Sequence, residues 1–218
     1  PPAPGCFGSN PVLVRPYYPD PGWLPHADPR HLFFMGKVIG LFSDNPFTVS
    51  AISFCLGFPM AALSMYWLAR QRHLGRPGSV VAAVLFSVVP GHQTMFQHLM
   101  LASYWVVPLG IWLVLRAALG EPLFRLKVDW RTAVQRRSAL RLNLTTALCA
   151  ICVAIGGIYY SAFTLLLLAV ALLLRLVATR DRRSVARASI LLFTIGAFSL
   201  AAVASVAAGQ DKSTLVTA

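Results

Sequence analysis

PFTVSAISFCLGFPMAALSMYWLARQR, residues 46 to 72, decides the fold. From Pro46 to about Leu68 it carries no charge, and it stops at Arg70-Gln71-Arg72. An α-helix rises about 1.5 Å per residue, so this run reaches across the roughly 30 Å of hydrocarbon in a bilayer. Gly57 and Pro59 sit in its middle, and proline there predicts a kink.

The same test applied outward finds apolar runs at about 78–92, 99–115, 142–155, 159–176 and 188–207. Composition points the same way. Charged residues are 12% of the chain, about half of what a soluble domain carries, and apolar residues are 57%. The expected fold is an all-α, polytopic transmembrane helix bundle of about six spanning helices. Gly156-Gly157 breaks the pattern between the fourth and fifth runs. Cys149 and Cys152 form a C-x-x-C, but inside an apolar run and with no second ligand pair, so they are expected to pack and not to bind metal.

Net charge is +12, and its distribution matters more than its size. The connectors at 70–77, 116–141 and 175–187 hold 3, 7 and 5 Lys or Arg, 15 of the chain's 19. The alternate segments hold only Arg15, Arg30, Lys37 and Lys212. Basic residues between apolar runs are a topology signal and not a nucleic-acid face, so no nucleic-acid partner is expected. The arginine-rich set should be cytoplasmic, with residues 1–45 as an outer loop, 46–207 as the transmembrane domain and 208–218 as an outer tail. The connector 116–141 reads first as a solvated basic loop that orients the chain, and its stretch 125–141, with Leu126, Trp130 and Val134, also suits a short amphipathic helix on the inner leaflet. Asn143 opens a glycosylation sequon but starts a helix on the inner side, so glycosylation is not expected. The opening PPAPGCFGSNP and the closing AAGQDKSTLVTA read as loops cut short.

Polar chemistry gathers in YYPDPGWLPHADPRHLFFMGKVIGLFSDNP, residues 17–46, which holds three of the seven carboxylates and two of the five histidines. Leu32, Met35, Ile39 and Phe42 fall on one helical face, with Arg30 and Lys37 mostly opposite. That predicts an interfacial amphipathic helix at about 28–43, capped by Asp28 before Pro29. Asp20 and Asp28 are polar carboxylates of this loop, Asp28 also suited to a helix cap and Asp20 to a turn. Arg30 and Lys37 are placed to neutralise a lipid phosphate while a carboxylate takes a proton from an acceptor hydroxyl. His31, His92, His98, Tyr159 and Tyr160 complete the candidate substrate-binding set on the outer side. His92 and His98 are not at i,i+4 spacing, so a metal would need a third ligand, and no metal site is expected. The rings of Tyr104, Trp105, Tyr159 and Tyr160 fit an interfacial aromatic belt, and in an outward cavity they would stack on sugar faces. No Asp or Glu falls within an apolar run, which weighs against proton-coupled transport.

Residues 44–115 carry a resemblance. Asn45-Pro46, Gly57-Phe58-Pro59, Pro90-Gly91-His92 and the run His98-Leu99 to Tyr104 and Pro108-Leu109 resemble bacterial polytopic proteins of the GT-C glycosyltransferase superfamily. Gly156-Gly157-Ile158-Tyr159-Tyr160 is similar to a later turn of that group. The likeness covers roughly residues 25–170. It implies transfer of a sugar from a polyprenyl-phosphate donor to an acceptor on the outer face of a bacterial inner membrane, with Asp28, and after it Asp20, as the candidate catalytic carboxylate by position. The implied partners are that lipid-linked donor and membrane lipids. No cofactor is specified. Two other readings compete: a lipid-linked sugar flippase or transporter, and a non-catalytic membrane subunit.

Overall fold

The computed structural model describes residues 38–39, 41–42, 45–89, 101–125, 133–179, 185–186 and 189–201. The protein is all-α. Helix α1 is Pro46–Gln71 and α2 is Arg76–Ser87. A 3-10 turn, Leu101–Val106, runs into α3, Val107–Leu119. Then come α4, Ala133–Ile155, and α5, Ile158–Thr179. Helix α6 is Ser189–Ala201. No strand occurs among the described residues. By length and composition α1, α4 and α5 can each cross a membrane, and the other apolar helices are shorter. This is a membrane protein built as a helical bundle. The helix expected at 28–43 and the tail at 208–218 lie outside the described residues, except that Val38 and Ile39 are helical and Leu41 and Phe42 form a turn after them.

Helix α1 passes through Pro59 as one continuous element. It ends in a Schellman motif. Leu74 N–H donates to Ala69 C=O at 3.0 Å and His73 N–H to Arg70 C=O at 3.2 Å. The residue forced into the left-handed region is His73, at φ 62°. Glycine usually occupies that position because a Cβ there crowds the backbone. His73→Gly should therefore stabilise the protein by about 1 kcal/mol, read as a shifted midpoint in an SDS titration of the protein in mixed micelles.

Two boundaries differ from those that hydropathy suggests. The fourth apolar run begins at Leu142, but α4 begins nine residues earlier, at Ala133. Hydropathy marks only the part of a helix that suits hydrocarbon, whereas the hydrogen-bond ladder continues through Arg136, Arg137 and Arg141. Val134 thus sits in the first turn of α4, 75% exposed. The third run opens as a 3-10 turn, and Pro108 lies in the first turn of α3. Proline has no N–H for the Tyr104 carbonyl and its ring crowds it, so a continuous α-ladder is broken there.

Helix α3 is the centre of the bundle, packed against α1, α4 and most extensively α5. Helix α2 folds back on α1. Trp112, Leu113, Val153, Leu168, Leu191 and Ile195 form the heart of the core. Trp112 packs against Trp67 of α1, with ring centroids 5.3 Å apart and planes 51° from parallel. Gly110 lets α3 approach α5 closely, since a Cβ there would stand 2.5 Å from Thr164 Oγ1. Small residues at a helix contact serve this purpose in membranes, where apolar surface alone does not drive helices together. Outward faces are apolar instead: Phe163, Leu166, Val170, Leu173 and Val177 of α5 are all exposed. Such a surface suits lipid as the solvent.

Candidate functional site

Side-chain contacts define two polar ends of the bundle. Asp20, Asp28, Arg30, His31, Lys37, His92 and His98 all lie outside the described residues. Tyr159 and Tyr160 lie within them, at the end where α4 turns into α5. Tyr159 is 49% exposed and points away from the bundle. Tyr160, one residue on, turns inward and is an electrostatic neighbour of Tyr104. The Tyr104 hydroxyl donates to the carbonyls of Ser87, at 2.8 Å, and Phe86, at 3.3 Å. Those carbonyls end α2 and have no partner further along the helix. The Phe86 and Tyr104 rings meet with centroids 5.1 Å apart. Gly156 presses on the 3-10 turn, and a Cβ on it would stand 2.6 Å from Val106 Cγ1. Ser161 closes the turn, its hydroxyl donating to Val153 C=O at 2.8 Å. This rim is aromatic and tightly held, and the Tyr104 hydroxyl is already engaged in holding it.

The opposite end is ionic. Helix α3 stops in a Schellman motif in which Gly120 takes φ 74° and Glu121 N–H donates to Arg116 C=O at 2.9 Å. The turn aims Glu121 at two arginines from different helix ends. Its Oε1 accepts from Arg72 Nη1 at 3.0 Å, and its Oε2 lies 3.4 Å from Arg116 Nη1. Arg116 also donates from Nη2 to Pro122 C=O at 2.7 Å, and its guanidinium lies 5.1 Å from the Trp112 ring centroid. The Arg175 guanidinium, from α5, lies against Gly120 where a side chain would stand. Glycine is thus required twice, for its left-handed backbone and for this contact.

The segment after Gly120 is strapped onto α4. Asn143 grips the backbone of Arg125 from both sides, accepting from its N–H at 2.9 Å and donating to its C=O at 3.2 Å. One turn on, the buried Thr146 hydroxyl donates to Leu123 C=O at 2.7 Å. Asn143, which opens the sequon, is committed to this contact. Cys149 packs in the core, and no group of three metal-ligating side chains occurs among the described residues.

Glu121 was missed as a hub because it sits in an arginine-rich connector that reads as a topology signal. One sign was available: Gly120-Glu121-Pro122 places a carboxylate directly behind a helix-stop glycine, among arginines. No family model, curated protein or solved structure matches the chain.

Proposed function

We propose that this protein is a membrane glycosyltransferase of the GT-C type, moving a sugar from a polyprenyl-phosphate donor to an acceptor on the outer face of a bacterial inner membrane. One observation supports the reading. The two motif segments that carry the resemblance, Tyr104 to Leu109 and Gly156 to Tyr160, are about fifty residues apart in the chain yet meet at one end of the bundle, Gly156 on Val106 and Tyr160 beside Tyr104. That end is opposite the arginine cluster, and the chain enters it through Asn45-Pro46 from the carboxylate-bearing segment.

In this reading Asp28 takes the proton of the acceptor hydroxyl as it attacks the sugar, with Asp20 as the second choice. Arg30 and Lys37 neutralise the phosphate that leaves with the lipid. His31, His92 and His98 hydrogen-bond the sugar, and Tyr159 and Tyr160 offer ring faces to it. The test is Asp28→Asn assayed in membranes with a radiolabelled polyprenyl-phosphate sugar. Removing a general base lowers the rate by about 10²–10⁴-fold, and insertion into the membrane should be unchanged. Full transfer by the variant would exclude Asp28. Movement of the donor across vesicles with no transfer in the parent protein would favour the flippase reading.

A further inference from the structure

We propose that the arginine-rich end of the bundle, where Arg72, Arg116 and Arg175 converge on Glu121 and Gly120, is a binding site for a phosphate anion. The proposal does not depend on the glycosyltransferase reading.

The first argument is charge. Glu121 is the only carboxylate among the described residues. Arg72 and Arg116 both pair with it, Arg175 lies one residue away against Gly120, and Arg125 adds a further repulsion on Arg116. Arg72 and Arg116 thus share one carboxylate, which holds their guanidinium groups on the same side chain. Guanidinium groups held together in a partly buried place repel one another, and burial makes that repulsion stronger than it would be in water.

The second argument is geometry. Arg72 spends one nitrogen, Nη1, on Glu121. Its Nε and Nη2 are buried and have no hydrogen-bond partner among the described residues, and the same holds for Arg116 Nε. Nε and Nη2 are the two donors along one edge of a guanidinium. They point the same way and fit two oxygens of a single phosphate or carboxylate. On Arg72 this whole edge is unused. The Arg72 side chain as a whole is 25% exposed, so the unused edge lies close to the surface of the bundle.

The third argument is position. The cluster is assembled from the ends of α1 and α3 and the last turns of α5, with the Trp67 and Trp112 pair beneath it. For helices that cross a membrane this is the depth of the headgroup phosphates. Two sources supply the chemistry there, an anionic lipid headgroup and a free phosphate compound.

The experiment is native mass spectrometry of the full chain in detergent micelles, titrated separately with phosphatidylglycerol, phosphatidylcholine and inorganic phosphate. Saturable binding of one phosphatidylglycerol, in excess over phosphatidylcholine and not displaced by inorganic phosphate, would identify a lipid headgroup site. Saturable binding of inorganic phosphate, displacing the lipid, would identify a free-phosphate site. Either result supports the proposal if Arg72→Gln and Arg175→Gln each weaken it by about tenfold, as expected for loss of a charge-assisted hydrogen bond. Glu121→Gln carries the sign. A carboxylate that competes with the phosphate for Arg72 and Arg116 should, once neutralised, leave binding about tenfold tighter. No saturable binding of any probe would overturn the site. So would binding that Glu121→Gln leaves unchanged or weakens, because the arginines would then serve only the internal ion cluster.

Discussion

Gly110→Leu is expected to separate α3 from α5 and to cost at least about 3 kcal/mol, the upper range for overpacking a well-filled contact. The site has no room for a single carbon. A Cβ at residue 110 would stand 2.5 Å from Thr164 Oγ1 and 3.3 Å from Thr164 Cγ2. Threonine is branched at Cβ and has few rotamers to retreat into. In water a bundle that opens slightly still gains by keeping apolar surface from solvent. In lipid it gains nothing that way, so close packing carries the association and its loss is felt in full. Gly110→Ala should cost about 1–3 kcal/mol, and Thr164→Ala should restore most of it. Removing Oγ1 and Cγ2 leaves Thr164 Cβ, at 3.5 Å, an ordinary contact. An SDS titration of the two single variants and the double variant would show this as a coupling of at least about 1 kcal/mol. Additive costs would mean that this contact does not limit how closely the helices approach.

Trp112→Ala should be comparably damaging, by about 3 kcal/mol, the low end of what a buried aromatic loses on truncation. Trp112 is 2% exposed and lies between Trp67 and the Arg116 guanidinium. The transfer part of the usual cost is reduced here, because a separated helix in a membrane faces lipid and not water. The cavity and the lost ring contacts remain. Trp112→Phe keeps a ring beneath Arg116 and should lose only about 1 kcal/mol. If alanine and phenylalanine cost the same in the SDS titration, the Trp67 and Arg116 contacts contribute little.

The helices were legible because lipid imposes a simple rule on sequence. An uncharged run ending at Arg70 and Arg72 has no way to satisfy its backbone in hydrocarbon except as a helix, and Pro46–Gln71 is one. The break at Gly156-Gly157 was legible for a local reason as well, since glycine alone takes φ 117° easily, as Gly157 does. What hydropathy did not reveal were events governed by hydrogen bonds and not by polarity. The early start of α4 at Ala133 is one, and the 3-10 turn ahead of Pro108 is another.

The candidate site was legible only in part. Tyr159 and Tyr160 share one motif, yet the helix turns one outward and the other toward Tyr104. Adjacent residues on a helix lie about 100° apart, so a motif written in one line of sequence is divided between two surfaces. Asp28 and the other polar residues of the first loop are named from the sequence alone, and they fall outside the described residues.

By itself, the sequence determined that this chain is a bundle of apolar helices with its arginines gathered in alternate connectors, because burying charge in hydrocarbon is costly at every position independently. Only the tertiary structure decided that Glu121 joins Arg72 across 49 residues, that Arg175 lies on Gly120, and that Gly156 lies on Val106. These are facts of helix packing. They depend on where Gly110 and Gly156 allow two backbones to come close, and no local pattern of residues encodes which distant partner will be there.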